Sequence, residues 1–254
     1  MNFFRGYREY YEVKLHFFIK TKKIEVRFVD FSTTMSRPRM SRHLAACGGN
    51  TRKAMTLYRL NLRLSQELFT VISCFEVALR NRICRHYTAI YGDDWLRNFA
   101  QPGGVFDTAR CSITRRIINE AVINLLANRR YSHDKLMAEM EFGFWRYLFA
   151  QPQFYEAGQT LLQIFPGKTR STPSMNYNHT YIFNQLGLIN NIRNRIAHHE
   201  PVCFASGIPI KDTTYCREHY AIILQLFQWM HIDESSFLYG LDHINTVCCL
   251  IDSI

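Results

Sequence analysis

The sequence lacks the cysteine spacings and the long apolar runs that mark several classes of protein. None of its eight cysteines stands in a C-x-x-C pair, so we interpret them as reduced, buried thiols of a cytosolic protein. No uncharged run approaches the roughly 18 apolar residues that a transmembrane helix needs. Arg5, Arg8, Glu9 and Glu12 interrupt any secretory signal. We therefore expect a cytoplasmic protein without a membrane segment.

Two motifs that could bind phosphate or metal are incomplete. The segment Gly167-Lys168-Thr169 resembles the end of a phosphate-binding loop, but Leu162 stands where its first glycine should be. Cys216 and His219 could supply two zinc ligands, and tetrahedral zinc needs a second matched pair that the sequence does not offer. We expect no metal and no cofactor.

Acidic residues are too few to balance the basic ones. The formal net charge is +10, and residues 35–130 hold 16 of the Lys and Arg residues against 6 of the Asp and Glu residues. Lys and Arg bind phosphates by releasing condensed counterions, so nucleic acid fits better as a partner than a neutral metabolite. At 254 residues the chain is long enough for one domain or two closely packed ones.

The apolar spacing predicts an all-α fold built on one long helix. Between Thr51, a candidate cap, and Gly92, apolar residues follow one another at steps of three and four. No repeat array, coiled-coil heptad or low-complexity tract is present. Further helices are expected at about 105–130, 132–150, 153–165, 178–199, 212–231 and 234–252, with Asp212 and Ser235 as candidate caps.

Residues 1–34 differ in pattern from the domain expected over 35–254. The segment 24–28 alternates apolar and charged residues, as a half-buried strand does, and Lys20–Lys23 could turn a hairpin. The expectation is therefore an N-terminal extension with a short β-hairpin. An alternative is that translation begins at Met35.

The segment 192–200, Ile-Arg-Asn-Arg-Ile-Ala-His-His-Glu, carries the chemistry. It lies near the end of a helix that Pro201 must stop. Asn194 and His198 are four residues apart and share a face, so the amide can orient the imidazole. Arg193 precedes His198 by five residues, about 140° around a regular helix, so its long side chain or a distorted last turn must bring the two groups together.

These residue types suit cleavage of RNA without a metal. A base must take the proton of the ribose 2′-hydroxyl and an acid must protonate the departing 5′-oxygen, and histidine titrates in the right range for both. A guanidinium stabilises the extra negative charge of the pentavalent phosphorane. Arg193, Asn194 and His198 are therefore the candidate catalytic residues.

This segment resembles the R-N-x-x-x-H signature of HEPN-domain ribonucleases. Segments 41–50, 57–61 and 75–81 resemble the Abi-like abortive-infection proteins of the AbiD/AbiF type, and the likeness spans about Ser36 to Cys203. The resemblance implies a helical HEPN fold, endoribonuclease activity without a metal and a role in bacterial defence against phage. HEPN nucleases juxtapose two copies of the motif, so it also implies a homodimer, and it permits a small regulatory RNA as a further partner.

Other residues are expected to support the site or to bind RNA. Glu76 and Arg80 resemble the family's polar positions on the long helix; they form either an exposed ion pair or a partly buried pair facing the motif helix. Arg80 and His86 could form a second, degenerate motif, for which coincidence is the alternative. The remaining candidates for RNA contact are Arg195 and His199, whose alternative is a pair of solvated helix-end charges, together with Arg59 and Arg63.

The main alternative function is an RNA-binding module without catalysis, because basic helices position RNA whether or not they cut it. A third class, the HEPN toxin controlled by nucleotidyl transfer to a tyrosine after the histidine, is disfavoured, because His199 and Glu200 follow His198.

Overall fold

The structure, a computed structural model, describes residues 26–168, 170–173 and 175–254. Within these residues there is no β-strand, and two isolated bridges are the only β-type pairs, so the prediction of an all-α fold is confirmed. The α-helices are α1 (Phe28–Thr34), α2 (Arg37–Ala46), α3 (Thr51–Tyr91), α4 (Trp95–Ala100), α5 (Ser112–Ala127), α6 (His133–Glu139), α7 (Phe142–Tyr147), α8 (Gln151–Glu156), α9 (His179–Ala197), α10 (Thr214–Trp229), α11 (Glu234–Phe237) and α12 (Ile244–Asp252).

The chain divides into two compact units between Thr56 and Leu57. Leu57–Ile254, the second unit, holds every candidate site residue. Nearly all of the apolar stripe expected on the long helix is buried in it; its buried members are Leu57, Leu64, Leu68, Val71, Phe75 and Leu79. Since burial of one such side chain stabilises a fold by roughly 1.5–3 kcal/mol, this stripe makes α3 the spine of the bundle.

The bounds of α3 match the sequence prediction, but its cap differs. Asn50 Oδ1 accepts a hydrogen bond from the backbone N–H of Lys53 at 3.0 Å, so Asn50 is the cap and Thr51 is the first helical residue. At the other end Gly92, with φ +80°, takes the left-handed conformation that ends helices.

The start of the described chain corrects one expectation. The predicted turn at 20–23 and the first part of the predicted strand lie outside the described residues. Phe28, the last residue of that strand prediction, is instead the first residue of α1. Helical structure therefore begins before Ser36, where it was expected.

Several predicted helices are shorter than their apolar spacing indicated. The helix expected over 132–150 divides into α6 and α7 because Met140 is extended, and its carbonyl accepts a hydrogen bond from the buried Trp145 Nε1 at 3.2 Å. Gly240, with φ +75°, lies between α11 and α12, where one helix was expected. Helix α4, which buries most of its apolar residues, was not predicted.

Loops shorten two further predicted helices, those expected over 153–165 and from about 105. Gly158, with φ +80°, ends the helix expected over 153–165 after Glu156. The helix expected from about 105 begins at Ser112, after a 3₁₀ turn, because Asp107 Oδ2 instead accepts the backbone N–H of Gly103 in a loop. The caps also shift: Asp233, and not Ser235, accepts the first N–H groups of α11.

Helix α9, which carries the 192–200 segment, packs against α7, α8 and α10. The long helix meets two of these partners through Phe75, whose ring centroid lies 6.3 Å from that of Phe142 on α7 and 5.3 Å from that of Phe227 on α10. The candidate site is therefore formed on α9 where it lies within the bundle around α3. No helix of the described chain is both long enough and apolar enough to cross a bilayer.

Candidate active site

Both ends of α9 are fixed by local hydrogen bonds. Asn178 Oδ1 accepts the backbone N–H of Tyr181 at 2.9 Å and caps the start. At the end, the N–H of His199 donates to the carbonyl of Ile196 and that of Glu200 to the carbonyl of Arg195, at 2.9 and 2.8 Å. These two bonds, with the left-handed φ of +56° at His199, form a Schellman motif. The helix thus stops where the sequence predicted.

The helix remains regular up to His198. The backbone N–H of His198 donates to the carbonyl of Asn194 at 2.9 Å, and the change of direction comes one residue later, at His199. The last turn is therefore not distorted between Arg193 and His198. The two side chains leave the helix about 140° apart, and the long arginine side chain must cover the difference.

The three candidate catalytic side chains differ in exposure. His198 is exposed, whereas Arg193 and Asn194 are half-buried. Along the described part of the chain, none of the three side chains is engaged in a hydrogen bond or an ion pair. Because the His198 imidazole is exposed and makes no hydrogen bond in the described chain, it can contact a substrate, as a general acid or base must.

Arg193 lies beside a carboxyl group of the long helix. The pKa of Glu76 is raised above its usual value because burial outweighs the attraction of Arg193 and Arg80, and Glu141 at the start of α7 raises the pKa further. Glu76 and Arg80 are both half-buried, and the charges of Arg80 and Arg193 both act on the Glu76 carboxyl group. No ion pair joins Glu76 and Arg80 in the described part of the chain, so neither the exposed pair nor the partly buried pair expected at these positions is observed, and their support of the site stays a prediction.

Arg195 is engaged by the end of its own helix and by α10. Its Nη2 donates to the carbonyl oxygen of Pro201 at 2.7 Å, and its Nε lies 3.5 Å from a carboxylate oxygen of Glu200. Its guanidinium carbon lies 4.6 Å from the centroid of the Tyr215 ring. These contacts fix the position of the segment that follows His198.

Comparison with known proteins decides the family. The family model described as Abi-like protein matches residues 8–203, which is more than three quarters of the chain. The chain belongs to the Abi-like protein family. The match starts ahead of Ser36, where the likeness was expected to begin, and it ends at Cys203 without extending over the last helices, which the resemblance had left open. No curated protein and no solved structure matches this Abi-like chain.

Further site candidates of the Abi-like chain are Arg59, Arg63 and His86. Arg63 is exposed and pairs at 3.9 Å with Glu67 one turn along α3, and Arg59 is also exposed. His86, half of the possible second motif, has its Nε2 2.9 Å from Thr160 Oγ1, and burial lowers its pKa. In the described chain His86 is thus engaged with Thr160, and a second motif formed by Arg80 and His86 stays a prediction.

The metal signals that the sequence left incomplete stay incomplete. Among the described residues no group of three or more His, Cys, Asp or Glu could hold a metal ion. Cys216 donates to the carbonyl of Val202 at 3.0 Å, and a ring nitrogen of His219 lies 2.7 Å from the carbonyl of Tyr215. All eight cysteines are free, four of them buried and one, Cys249, exposed.

Sequence reasoning missed Asn61, which connects the long helix to the segment after the motif. Asn61 is buried, and its Oδ1 accepts the backbone N–H groups of Val202 and Cys203 at 2.9 and 3.3 Å. The available signal was its position: Asn61 lies four residues after Leu57 and three before Leu64, so it is a polar residue within the buried stripe. The amide thereby fixes the chain that follows the motif helix.

Replacing Asn61 by alanine is expected to lower the free energy of unfolding by about 1–3 kcal/mol, because two buried backbone N–H groups lose their acceptor. The measurement is equilibrium unfolding in urea. The matched control is Asn128→Ala at an exposed helix end, which should stay within about 0.5 kcal/mol of the original protein. Equal losses in the two variants would contradict the anchoring role of Asn61.

Proposed function

We propose that this Abi-like protein is a metal-independent endoribonuclease of the HEPN type that acts in abortive-infection defence against phage. The observation that carries the proposal is the end of α9, where an exposed His198 stands five residues after a half-buried Arg193 whose charge acts on Glu76 of the long helix. The uneven positive charge of residues 35–130 supports RNA as the substrate.

In the proposed reaction the ribose 2′-oxygen attacks the adjacent phosphorus. An imidazole takes the 2′-hydroxyl proton, the bond from phosphorus to the 5′-oxygen breaks, and a protonated imidazole supplies a proton to that leaving oxygen. Arg193 stabilises the phosphorane charge. Asn194, one turn before His198, is proposed to orient the ring when RNA is bound, because no hydrogen bond joins the two side chains in the described part of the chain.

The proposal includes a homodimer. Base and acid must act on opposite sides of the phosphorus, and the chain carries one such segment with an exposed imidazole. A second copy of the chain supplies the second histidine, as the resemblance to HEPN nucleases implies. Arg59, Arg63 and His199 are proposed to contact RNA around this composite site.

The test is incubation of the purified protein with labelled single-stranded RNA in EDTA. Cleavage is expected to continue, and the upstream products should carry 2′,3′-cyclic phosphate ends, because attack by the 2′-oxygen needs no water and no metal. Intact RNA with tight, salt-sensitive binding would refute the nuclease and favour the RNA-binding module. Products with 3′-hydroxyl ends would refute the proposed chemistry.

A further inference from the structure

Arg146, at the end of α7, is a half-buried cation without an acidic partner. Its Nε donates to the carbonyl oxygen of Phe183 on α9 at 3.1 Å, and its guanidinium carbon lies 4.0 Å from the centroid of the Phe183 ring. None of the ion pairs in the described part of the chain includes Arg146. Of its five N–H donors, the four on Nη1 and Nη2 make no hydrogen bond within the described chain, so they can bind an anion.

Gly187 makes room for this guanidinium. A Cβ at position 187 would lie 2.9 Å from Arg146 Nη2 and 3.0 Å from its Cζ, closer than side chains pack. Glycine inside a helix lowers its stability relative to alanine. Helix α9 thus carries a destabilising residue at the point where the Arg146 guanidinium packs against it. This indicates that the position of the guanidinium is important to the protein.

An exposed aromatic ring stands next to Arg146. The side chain of Tyr147 is 49% exposed, and its ring meets the Phe183 ring edge to face at 5.6 Å between centroids. The Arg146 guanidinium lies 5.8 Å from the Tyr147 ring. A fixed cation beside an exposed ring is the combination with which proteins bind single-stranded nucleic acid, where the cation binds a phosphate and the ring stacks on a base.

This pair lies on the same side of α9 as the catalytic segment. Phe183, Gly187, Asn194 and His198 fall within about 60° of one another at 3.6 residues per turn. From Gly187 to His198 the helix rises roughly 16 Å, which a strand stacked at roughly 3.4 Å per nucleotide covers in about five nucleotides. Helix α7 connects the Arg146–Tyr147 pair to the catalytic segment. The charge of Glu141 at the start of α7 acts on Glu76, and Arg146 at the end of α7 contacts Phe183.

We propose that Arg146 and Tyr147 form a binding subsite for single-stranded RNA within about five nucleotides of the cleaved linkage, with the Nη donors on a phosphate and the Tyr147 ring against a base. This inference rests on the proposed function and assigns a path to its substrate. Double-stranded RNA does not suit the subsite, because its bases are already stacked.

The test measures binding of fluorescein-labelled 12-nucleotide RNA by fluorescence anisotropy, in EDTA, with His198→Ala protein so that the RNA stays intact. Tyr147→Ala is expected to weaken binding by roughly 5- to 100-fold, the range for loss of one stacked base, and Arg146→Gln should weaken it and make it less sensitive to salt. The controls are Tyr239→Ala, at a ring 85% exposed, and Arg170→Gln, at an exposed arginine outside the basic segment 35–130. Both controls should bind as the parent does, and Tyr147→Ala should not change binding of a duplex.

The outcomes separate this inference from the nuclease itself. If the protein cuts RNA in EDTA but Tyr147→Ala binds single strands as the parent does, the subsite is wrong and the nuclease stands. If the protein does not cut RNA but both variants weaken binding, the subsite stands as an RNA contact and the nuclease falls. Since Tyr147 is exposed, its variant tests the subsite even where Arg146→Gln fails to fold.

Discussion

His198→Ala is expected to lower the rate of RNA cleavage by roughly 10²- to 10⁴-fold, the usual cost of removing a general acid or base. The fold should survive, because His198 is exposed and its part in the helix end is made by its backbone, whose N–H donates to Asn194. The measurement is the single-turnover rate of cleavage in EDTA at saturating protein, with RNA binding measured in parallel.

The matched control for this variant is His243→Ala. His243 is likewise an exposed histidine of the second unit, with a ring nitrogen 3.3 Å from the half-buried Glu67, and loss of this pair is expected to cost about 1 kcal/mol. Its cleavage rate should equal that of the original protein. Equal rates for His198→Ala and the original protein, with both folded, would remove His198 from the reaction.

The end of the motif helix, α9, could be predicted from the sequence only in part. Pro201 correctly predicted that the helix must stop just before it. The left-handed residue at the stop is His199, which the sequence did not indicate, because that position is most often glycine. The apolar spacing could not show that the turn comes after His198 and not within the Arg193–His198 interval.

Contacts between distant segments were the least predictable part of the site. The hydrogen bonds from Val202 and Cys203 to Asn61 join residues about 140 positions apart, and periodicity reports only which face of a helix is buried. The effect of Arg193 on the Glu76 pKa also joins distant segments, and the sequence left open whether Glu76 faced solvent or the motif helix. The breaks at Met140 and Gly240 were missed, because apolar residues continue at helical spacing across both.

Arg193→Ala is expected to lower cleavage by roughly 10²- to 10³-fold, as does loss of one group that stabilises transition-state charge. Arg193→Lys should recover part of the rate, because lysine keeps the charge but not the planar pair of donors. The control is Arg116→Ala, which removes an exposed arginine paired with Glu120 one turn away and should leave the rate unchanged.

Loss of Arg193 also acts on Glu76, and this effect must be separated from catalysis. Arg193 is one of two arginines that lower the Glu76 pKa, so its removal raises that pKa further. A carboxyl group whose pKa is raised in the folded state contributes stability at low pH that is lost as the pH rises through that pKa. Thermal unfolding of the Arg193→Ala variant and of the original protein at pH 5 and pH 7 measures this pH dependence of stability. If misfolding causes the rate loss, the loss should be smaller at the lower pH.

The double variant Arg193→Ala/His198→Ala decides whether the two groups act on the same linkage. Groups that act as a unit in one transition state are strongly non-additive, so the double variant should lose little more than the more damaging single variant. If the two losses multiply, the guanidinium and the imidazole act in separate steps or at separate places. Since the side chains leave α9 about 140° apart, non-additivity would mean that the RNA linkage lies over Asn194, between them.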